Sequence, residues 1–294
     1  MPSLKDLRNR IDSVKSTKKI TQAMKMVAAS KLKKAQSLAE KGRSYSSGLD
    51  SIVKGLVNSS ESIEHPLLDN NVGDKNSSLI IVVSSDRGLC GGLNSNIVKA
   101  VKKKIDELKG EKKSASLVCI GKKGFDLLSG LYEKMFNFEV KHINIGEIDY
   151  KSTEKIGKKI LNSFYKNDFQ ECCLFYNHFN SVISQEVNVE KLIPYSKSSE
   201  TYTENQNNID TYFEYEPNEE EVLSKILPKN FIVQIYKAIL ESRASEQGAR
   251  MTAMDNATRN AGEMIDNLSL KYNRQRQAII TKELIEIISG AEAL

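Results

Sequence analysis

The sequence has 294 residues, which is enough for one large domain or two smaller ones, each with its own core. It contains no tryptophan and no run of about 18 apolar residues, so we expect neither a large aromatic ligand pocket nor a transmembrane helix. The formal net charge of +5 is unevenly placed, because residues 1–57 carry 13 lysines and arginines against 4 acidic residues. Such a basic block indicates a negatively charged partner surface or nucleic acid.

The N-terminal segment is predicted to be one long helix. Apart from Pro2, every proline lies between residues 66 and 228, so residues 3–57 contain no helix breaker. Apolar residues recur there at steps of three and four, as in the seam of a coiled coil, at Leu4, Leu7, Ile11 and Val14. The apolar phase then slips, which predicts a stutter between Val14 and Ile20. From there the predicted seam runs through Ile20, Met24, Val27/Ala28, Lys31/Leu32, Ala35 and Leu38.

The middle of the chain alternates short apolar strands with amphipathic helices. Strands are predicted at Leu79–Val83, Leu117–Ile120, Phe138–Ile143, Cys172–Tyr176 and Val182–Ile193, and helices at Ser95–Leu108, Lys122–Ser129 and Thr153–Tyr165. The resulting order, βαβαβαββ, predicts a Rossmann-like, doubly wound α/β domain whose last strand is antiparallel. Residues 196–218 are polar and are predicted to form a loop.

The C-terminal segment is predicted to be a second long helix. Its seam holds the three-four alternation for five heptads, at Ala244, Gln247, Met251, Met254, Thr258, Ala261, Ile265, Leu268, Tyr272, Gln275 and Ile279. Pro228 is predicted in its first turn, after a short acidic helix that begins at residues 218–221. Helices of this length are predicted to pair with each other, although two separate helices lying on the middle domain remain an alternative.

These elements define an α/β fold, in which a long antiparallel coiled coil of the terminal helices carries the inserted α/β domain. The predicted boundaries are residues 1–57 for the N-terminal helix, 58–218 for the α/β domain and 219–294 for the C-terminal helix.

A glycine-rich turn follows the first strand, at residues 84–94. It has neither GxGxxG spacing nor a following Gly-Lys-Ser/Thr, so we interpret Gly88, Gly91 and Gly92 as a structural turn, with Asn94 or Ser95 capping the next helix. Its thiol, Cys90, has no histidine near it in sequence.

The remaining candidates for chemistry are few. The three histidines are scattered, and the four cysteines, found in or beside apolar segments at Cys90, Cys119, Cys172 and Cys173, show no ligand spacing. We therefore predict reduced core thiols in a cytoplasmic protein, with no metal, no cofactor and no active site.

Three separated segments resemble the gamma subunit of bacterial F-type ATP synthases. They are residues 11–32 (IDSVKSTKKITQAMKMVAASKL), residues 85–94 (SDRGLCGGLN) and residues 241–294, which include SEQGARM and YNRQRQAIITKEL. Together they cover more than a quarter of the chain, in the order and spacing of that family. The small departures are Gly248 and Lys282, where the family more often has Ala and Gln, and Gly248 would cost up to about 1 kcal/mol of helix stability against Ala.

The resemblance implies a central rotor stalk inside a ring of alternating alpha and beta subunits, three of each. The middle domain, with the epsilon subunit, would sit on the membrane rotor ring of c subunits, and rotation would couple proton flow to ATP synthesis at the beta-subunit sites. The chain itself would be non-catalytic, within a complex of the translocase class. It would be peripheral, on the cytoplasmic side of the inner (plasma) membrane, and would reach the membrane only through partners.

The resemblance also implies which residues touch the beta subunits. The family's pattern places these contacts at Met24, Lys25, Glu246, Arg250, Arg276, Gln277, Thr281 and Glu283, and it places an apolar tip, with Ile285, Ile287 and Ile288, in an apolar sleeve. From the residues alone, each charged position would be an ordinary exposed helix residue.

A basic coiled coil that binds nucleic acid is the alternative function. Ten lysines and arginines within residues 5–34 favour it. The absence of Phe, Tyr and Trp from residues 1–44 weighs against it, because no side chain there could stack on a base.

Overall fold

The computed structural model describes residues 3–59, 65–69, 72, 74, 76–136, 142–143, 149–195, 216 and 218–292. Within these residues five α-helices and five β-strands follow one another in the predicted order. The helices are α1 (Leu4–Ser59), α2 (Leu93–Gly110), α3 (Lys122–Tyr132), α4 (Tyr150–Tyr165) and α5 (Glu219–Glu292). The strands are β1 (Ser77–Val83), β2 (Ser114–Ile120), β3 (His142–Ile143), β4 (Glu171–Phe179) and β5 (Gln185–Ile193).

The chain divides into two compact units. One comprises residues 1–30 and 250–294, and the other comprises residues 31–249. The predicted fold class is confirmed, since two long terminal helices flank an inserted α/β sheet. Of the third predicted strand only His142–Ile143 is described, and the predicted polar loop lies almost wholly outside the described residues.

The sheet forms the centre of the unit of residues 31–249. Its strand order is β3-β2-β1-β4-β5, with β1 parallel to both β2 and β4, and β5 antiparallel to β4. Every residue of β1 is buried, as expected for a strand covered on both faces. One face, through Ile80 and Val82, packs on α2 and α3. The other, through Ile81 and Val83, packs on α4 and on the parts of α1 and α5 that belong to this unit.

The unit of residues 1–30 and 250–294 contains an antiparallel helix pair. Leu7 and Ile11 of α1 form a small apolar cluster with Leu268 of α5. Further along α1, the hydroxyl of Thr258 donates a hydrogen bond to that of Thr21 at 2.8 Å. Because the partner number falls as the number in α1 rises, the two segments run in opposite directions.

The predicted stutter in α1 is wrong. Ile20 is 60% exposed, and the buried position of that turn is Thr21. Seam positions continue through half-buried Lys18 and on to buried Ala28, so the heptad is unbroken. The apolar pattern gave the wrong prediction because two polar residues, Lys18 and Thr21, occupy the seam after Val14. For the same reason Leu38 is exposed, and Ala39 takes its predicted place.

The predicted position of Pro228 is also wrong. Pro228 lies inside α5, a continuous helix that begins at Glu219, and no separate acidic helix precedes it. The predicted start is correct, since the side chain of Asn218 accepts a hydrogen bond from the Glu221 amide. Proline removes one helical hydrogen bond, but Leu227 before it and Phe231 after it are buried in the core, and this packing holds the helix through the defect.

Candidate functional site

The glycine-rich turn connects β1 to α2. Gly91 has φ +60°, a conformation that favours glycine, whereas a side chain at Gly88 would meet open space. The predicted cap is wrong, because Gly92 occupies the N-cap of α2 and makes no side-chain cap hydrogen bond. Asn94 lies within the helix instead, where its side chain accepts a hydrogen bond from the backbone amide of Ser85.

The polar residues of this turn cap α3. The hydroxyl of Ser84 accepts from the Gly124 amide at 2.8 Å, and Asp86 accepts from the Lys122 amide at 3.2 Å. These amides at a helix N-terminus are the groups that would otherwise bind a phosphate. Because the chain's own side chains occupy these amides, Ser84 and Asp86 act as caps of α3.

The sites considered for metal or thiol chemistry contain no reactive cluster in the described ranges. All four cysteines are free and buried, and burial raises the pKa of the Cys119 thiol to about 12. No group of three or more His, Cys, Asp or Glu side chains placed to hold a metal occurs among the residues described. The same part of the chain contains no helix long and apolar enough to cross a bilayer.

Three of the predicted beta-subunit contacts lie on the helix pair. Met24 and Arg250 are half-buried, and Lys25 forms an ion pair with Asp255 at 2.6 Å. This ion pair lowers the pKa of Asp255 below its ordinary value, chiefly through the hydrogen bond from Lys25. Both side chains are more than a third exposed, so the pair contributes little to stability.

Four other predicted contacts lie together on the last part of α5, at Arg276, Gln277, Thr281 and Glu283. Every residue from Arg276 to Ala291 is exposed, on all faces of the helix. The apolar side chains there are 36–68% exposed, and they are Ile279, Ile280, Leu284, Ile285, Ile287 and Ile288. A helix with this much uncovered apolar surface is suited to a partner.

Glu246 differs from the other predicted contacts. It belongs to the unit of residues 31–249 and is only 7% exposed. The chain itself covers this carboxylate, so it is not available as an exposed contact.

A buried polar cluster at the meeting point of α1, α5 and β4 was missed in the sequence. We call it the polar clasp, and it consists of Arg43, Phe179 and Glu241. The guanidinium of Arg43 donates from Nε to Glu241 Oε1, and from Nη2 to Glu241 Oε2 and the Phe179 carbonyl, both at 2.8 Å. The Phe179 amide donates to Glu241 Oε2 at 3.0 Å.

Electrostatics hold the clasp in its charged form. Burial raises the pKa of Glu241, but hydrogen bonds from Arg43 and the Phe179 amide outweigh it, so the pKa lies below its ordinary value of 4.5. The same hydrogen bond to Glu241 raises the pKa of Arg43. The only sequence signal was a carboxylate in an apolar stretch of α5, between Leu240 and Ala244.

Known structures first identify the class of fold. The central stalk and c-ring structure of the Tetrahymena thermophila mitochondrial ATP synthase contains a chain 28% identical to this one, with a TM-score of 0.59, covering 81% of this chain and 99% of that one. A chain of the Euglena gracilis mitochondrial ATP synthase, in the OSCP/F1/c-ring structure in rotational state 3, matches with a TM-score of 0.65 and 18% identity, over 99% and 94% of the two chains. The fold is therefore that of a rotary ATP synthase central stalk.

Sequence relatives then give the family. The family model described as ATP synthase matches residues 3–294. The ATP synthase gamma chain of Pelagibacter ubique (strain HTCC1062) is 49% identical over 295 residues, and that of Sinorhizobium fredii (strain NBRC 101917 / NGR234) is 46% identical, each covering 100% of both chains. The chain belongs to the ATP synthase gamma chain family, the non-catalytic central stalk rotor of the F-type ATP synthase. Because this family is that of a rotor subunit, the rotor function is preferred to the nucleic-acid-binding alternative.

Proposed function

We propose that this rotor couples proton flow through a membrane ring of c subunits to ATP synthesis at beta-subunit catalytic sites. In this proposal a single copy turns inside three alpha and three beta subunits, and an epsilon subunit joins it on the ring. The chain is peripheral, on the cytoplasmic side of the inner membrane, and the complex that it serves is a translocase. Support comes from the relatives' name and from the Tetrahymena structure, which combines central stalk and c-ring.

The observation that carries the proposal is the uncovered end of α5. Sixteen consecutive residues, 276–291, are exposed on every face. An isolated helix of this length is marginal in water, and its isoleucines and leucine would gain about 25 cal/mol for each Å² of apolar surface that a partner covers. An apolar sleeve formed by the alpha and beta subunits is a fitting partner for the apolar tip, with Ile285, Ile287 and Ile288, because non-directional apolar contacts allow the tip to turn inside it.

Contacts with the beta subunits are proposed at seven of the eight predicted residues. Arg276, Gln277, Thr281 and Glu283 are exposed on the same helix end and can meet beta-subunit loops directly. Met24, Lys25 and Arg250 are half-buried on the helix pair, so their contacts would be partial. Glu246 is left out because this chain already buries it.

Reconstitution tests the proposal. ATPase activity is measured for this chain alone, for its alpha and beta partners alone, and for the three mixed, with native mass spectrometry to count subunits. We expect the chain to be inert alone, to join three alpha and three beta subunits in one copy, and to raise their turnover. Nucleotide turnover by the isolated chain, or failure to join alpha and beta, would refute the proposal.

The helix end is tested in the same assay with a triple substitution, Ile285→Ser, Ile287→Ser and Ile288→Ser. A matched control carries Ile20→Ser, since Ile20 is equally exposed but lies on α1. We expect the triple variant to weaken assembly by about tenfold or more, because each covered isoleucine contributes on the order of 1 kcal/mol. Equal assembly of the triple variant and the control would exclude the sleeve.

A further inference from the structure

The polar clasp joins three elements through directional contacts. Besides the bonds of Arg43 and Glu241, the next turns of α5 bind the end of β4. The hydroxyl of Ser242 accepts from the Asn177 amide at 3.2 Å, and that of Ser245 donates to the Asn177 carbonyl at 3.0 Å. Six hydrogen bonds thus link α1, α5 and the last residues of β4.

Two glycines allow neighbouring side chains to pack closely against the helices around this cluster. A Cβ at Gly42 of α1 would lie 2.8 Å from Leu240 of α5, and a Cβ at Gly248 of α5 would lie 3.1 Å from the Phe179 ring. Glycine at both positions brings each pair of elements closer than any other residue would. The position of Gly248, which costs helix stability, is explained by this packing against β4.

The clasp joins three elements at one point, whereas most of the interface around it is apolar. There the sheet packs on α1 and α5 mainly through side chains such as Val53 and Phe231, with one ion pair from Lys237 of α5 to Glu190 of β5 at 3.1 Å. Apolar burial is strong but non-directional, so it opposes separation more than it opposes sliding or rotation. Hydrogen bonds fall off steeply with angle, so a buried network fixes the register of the elements that it joins.

We propose that the polar clasp transmits torque between the α/β sheet and the two terminal helices, with Arg43 and Glu241 as positioning residues for rotation. This rests on the proposed rotor function, in which the sheet is carried by the ring and the helices turn inside the catalytic subunits. Torque about a helix axis would make the sheet slide or rotate against the helices, and apolar contacts resist that movement least. The clasp is a group of directional bonds around the buried carboxylate of Glu241 at that junction, and it holds both helices to the same strand.

The test uses the complete ATP synthase complex in vesicles and measures ATP hydrolysis and ATP-driven proton pumping together. Arg43→Met alone would leave the buried Glu241 without its guanidinium partner and could unfold the junction. The informative variant is therefore Arg43→Met with Glu241→Gln, which removes both charges and keeps the length of the side chain at position 241. Arg43→Lys keeps the charge but loses the planar fork that reaches Glu241 and Phe179 together. Lys191→Met is the control, because it removes an ion pair within the sheet, to Glu171 at 3.0 Å.

The double variant is expected to hydrolyse ATP within about twofold of wild type and to pump fewer protons per ATP, since losing one net hydrogen bond of about 1 kcal/mol raises the ratio of slipped to engaged rotors about fivefold. The number of protons pumped per ATP by Arg43→Lys should fall between the values for wild type and for the double variant. The control should match wild type.

A pumping-to-hydrolysis ratio equal to wild type in the double variant would overturn the proposal, whatever its thermal stability. A parallel loss of hydrolysis and pumping would overturn it as well, since it would show a purely structural role. Failure of the rotor function itself is distinguishable, because wild type would then show no coupled pumping.

Discussion

Replacing Glu241 with Gln gives the sharpest test of the buried charge. The carboxylate side chain is 0% exposed and accepts hydrogen bonds from Arg43 and from the Phe179 amide. An amide keeps one acceptor but loses the charge and the second oxygen. Hydrogen bonds to charged groups contribute about 1.5–3 kcal/mol each, so we expect the free energy of unfolding to fall by about 2–3 kcal/mol at pH 7.

Acid should reduce this difference between wild type and variant. The pKa of Glu241 in the folded chain lies below its ordinary value of 4.5, so the unfolded chain binds the proton more readily. The contribution of the carboxylate is therefore complete above pH 4.5 and is lost as the pH falls through the folded-state pKa. Wild type should lose stability in this window, and Glu241→Gln should lose less.

Urea unfolding of the full-length chain, followed by circular dichroism at several pH values, measures both effects. A loss of 2–3 kcal/mol corresponds to a midpoint lower by about 1 M urea for a unit of this size. Glu186→Gln, at an exposed carboxylate of the same unit, should leave the midpoint unchanged. The reasoning fails if Glu241→Gln matches wild type at pH 7, or if the difference between them is the same at pH 7 and in acid.

Three further predictions address the turn, the seam and the helix end. Gly121→Ala should destabilise by more than about 3 kcal/mol in urea unfolding, because φ is +106° and the new Cβ would lie 2.0 Å from the Ser84 carbonyl oxygen, whereas Gly110→Ala should not. In thermal unfolding, Leu7→Ala should cost about 2 kcal/mol and Ile20→Ala less than about 0.5 kcal/mol; a cost at Ile20 as large as that at Leu7 would support the stutter. Ile287→Ser should leave the isolated chain within about 0.5 kcal/mol of wild type, since a larger loss would mean that this residue packs within the chain.

The sheet was predictable because its signal is local. β1 is a run of apolar, mostly β-branched residues, and the helices after it repeat their apolar residues at helical spacing. The two ends of the chain were predictable as helices because they lack proline. These features depend on neighbours in sequence, so they can be recognised without knowing the tertiary contacts.

The errors arose where tertiary packing outweighs local preference. Thr21 enters the seam because its hydroxyl finds Thr258, which an apolar pattern cannot reveal. Pro228 lies inside a helix because buried apolar residues before and after it, Leu227 and Phe231, hold it there. The clasp was missed because Arg43 and Glu241 are 198 positions apart, and a lone carboxylate in an apolar stretch does not indicate its partner.

The contrast between the two kinds of ion pair fits a rotor. In the helix pair, Lys25 and Asp255 are 38% and 36% exposed, and such pairs are weak and screened by salt. At the sheet junction, Glu241 is fully buried, so breaking its pair would strand a charge in the protein interior. A shaft that slips past its stator needs weak contacts on its outer surface, but it must not slip against its own domain. This chain meets both requirements. Its buried carboxylate and the hydrogen bonds to it lie where β4 joins α1 and α5, whereas residues 276–291 at the helix end are exposed.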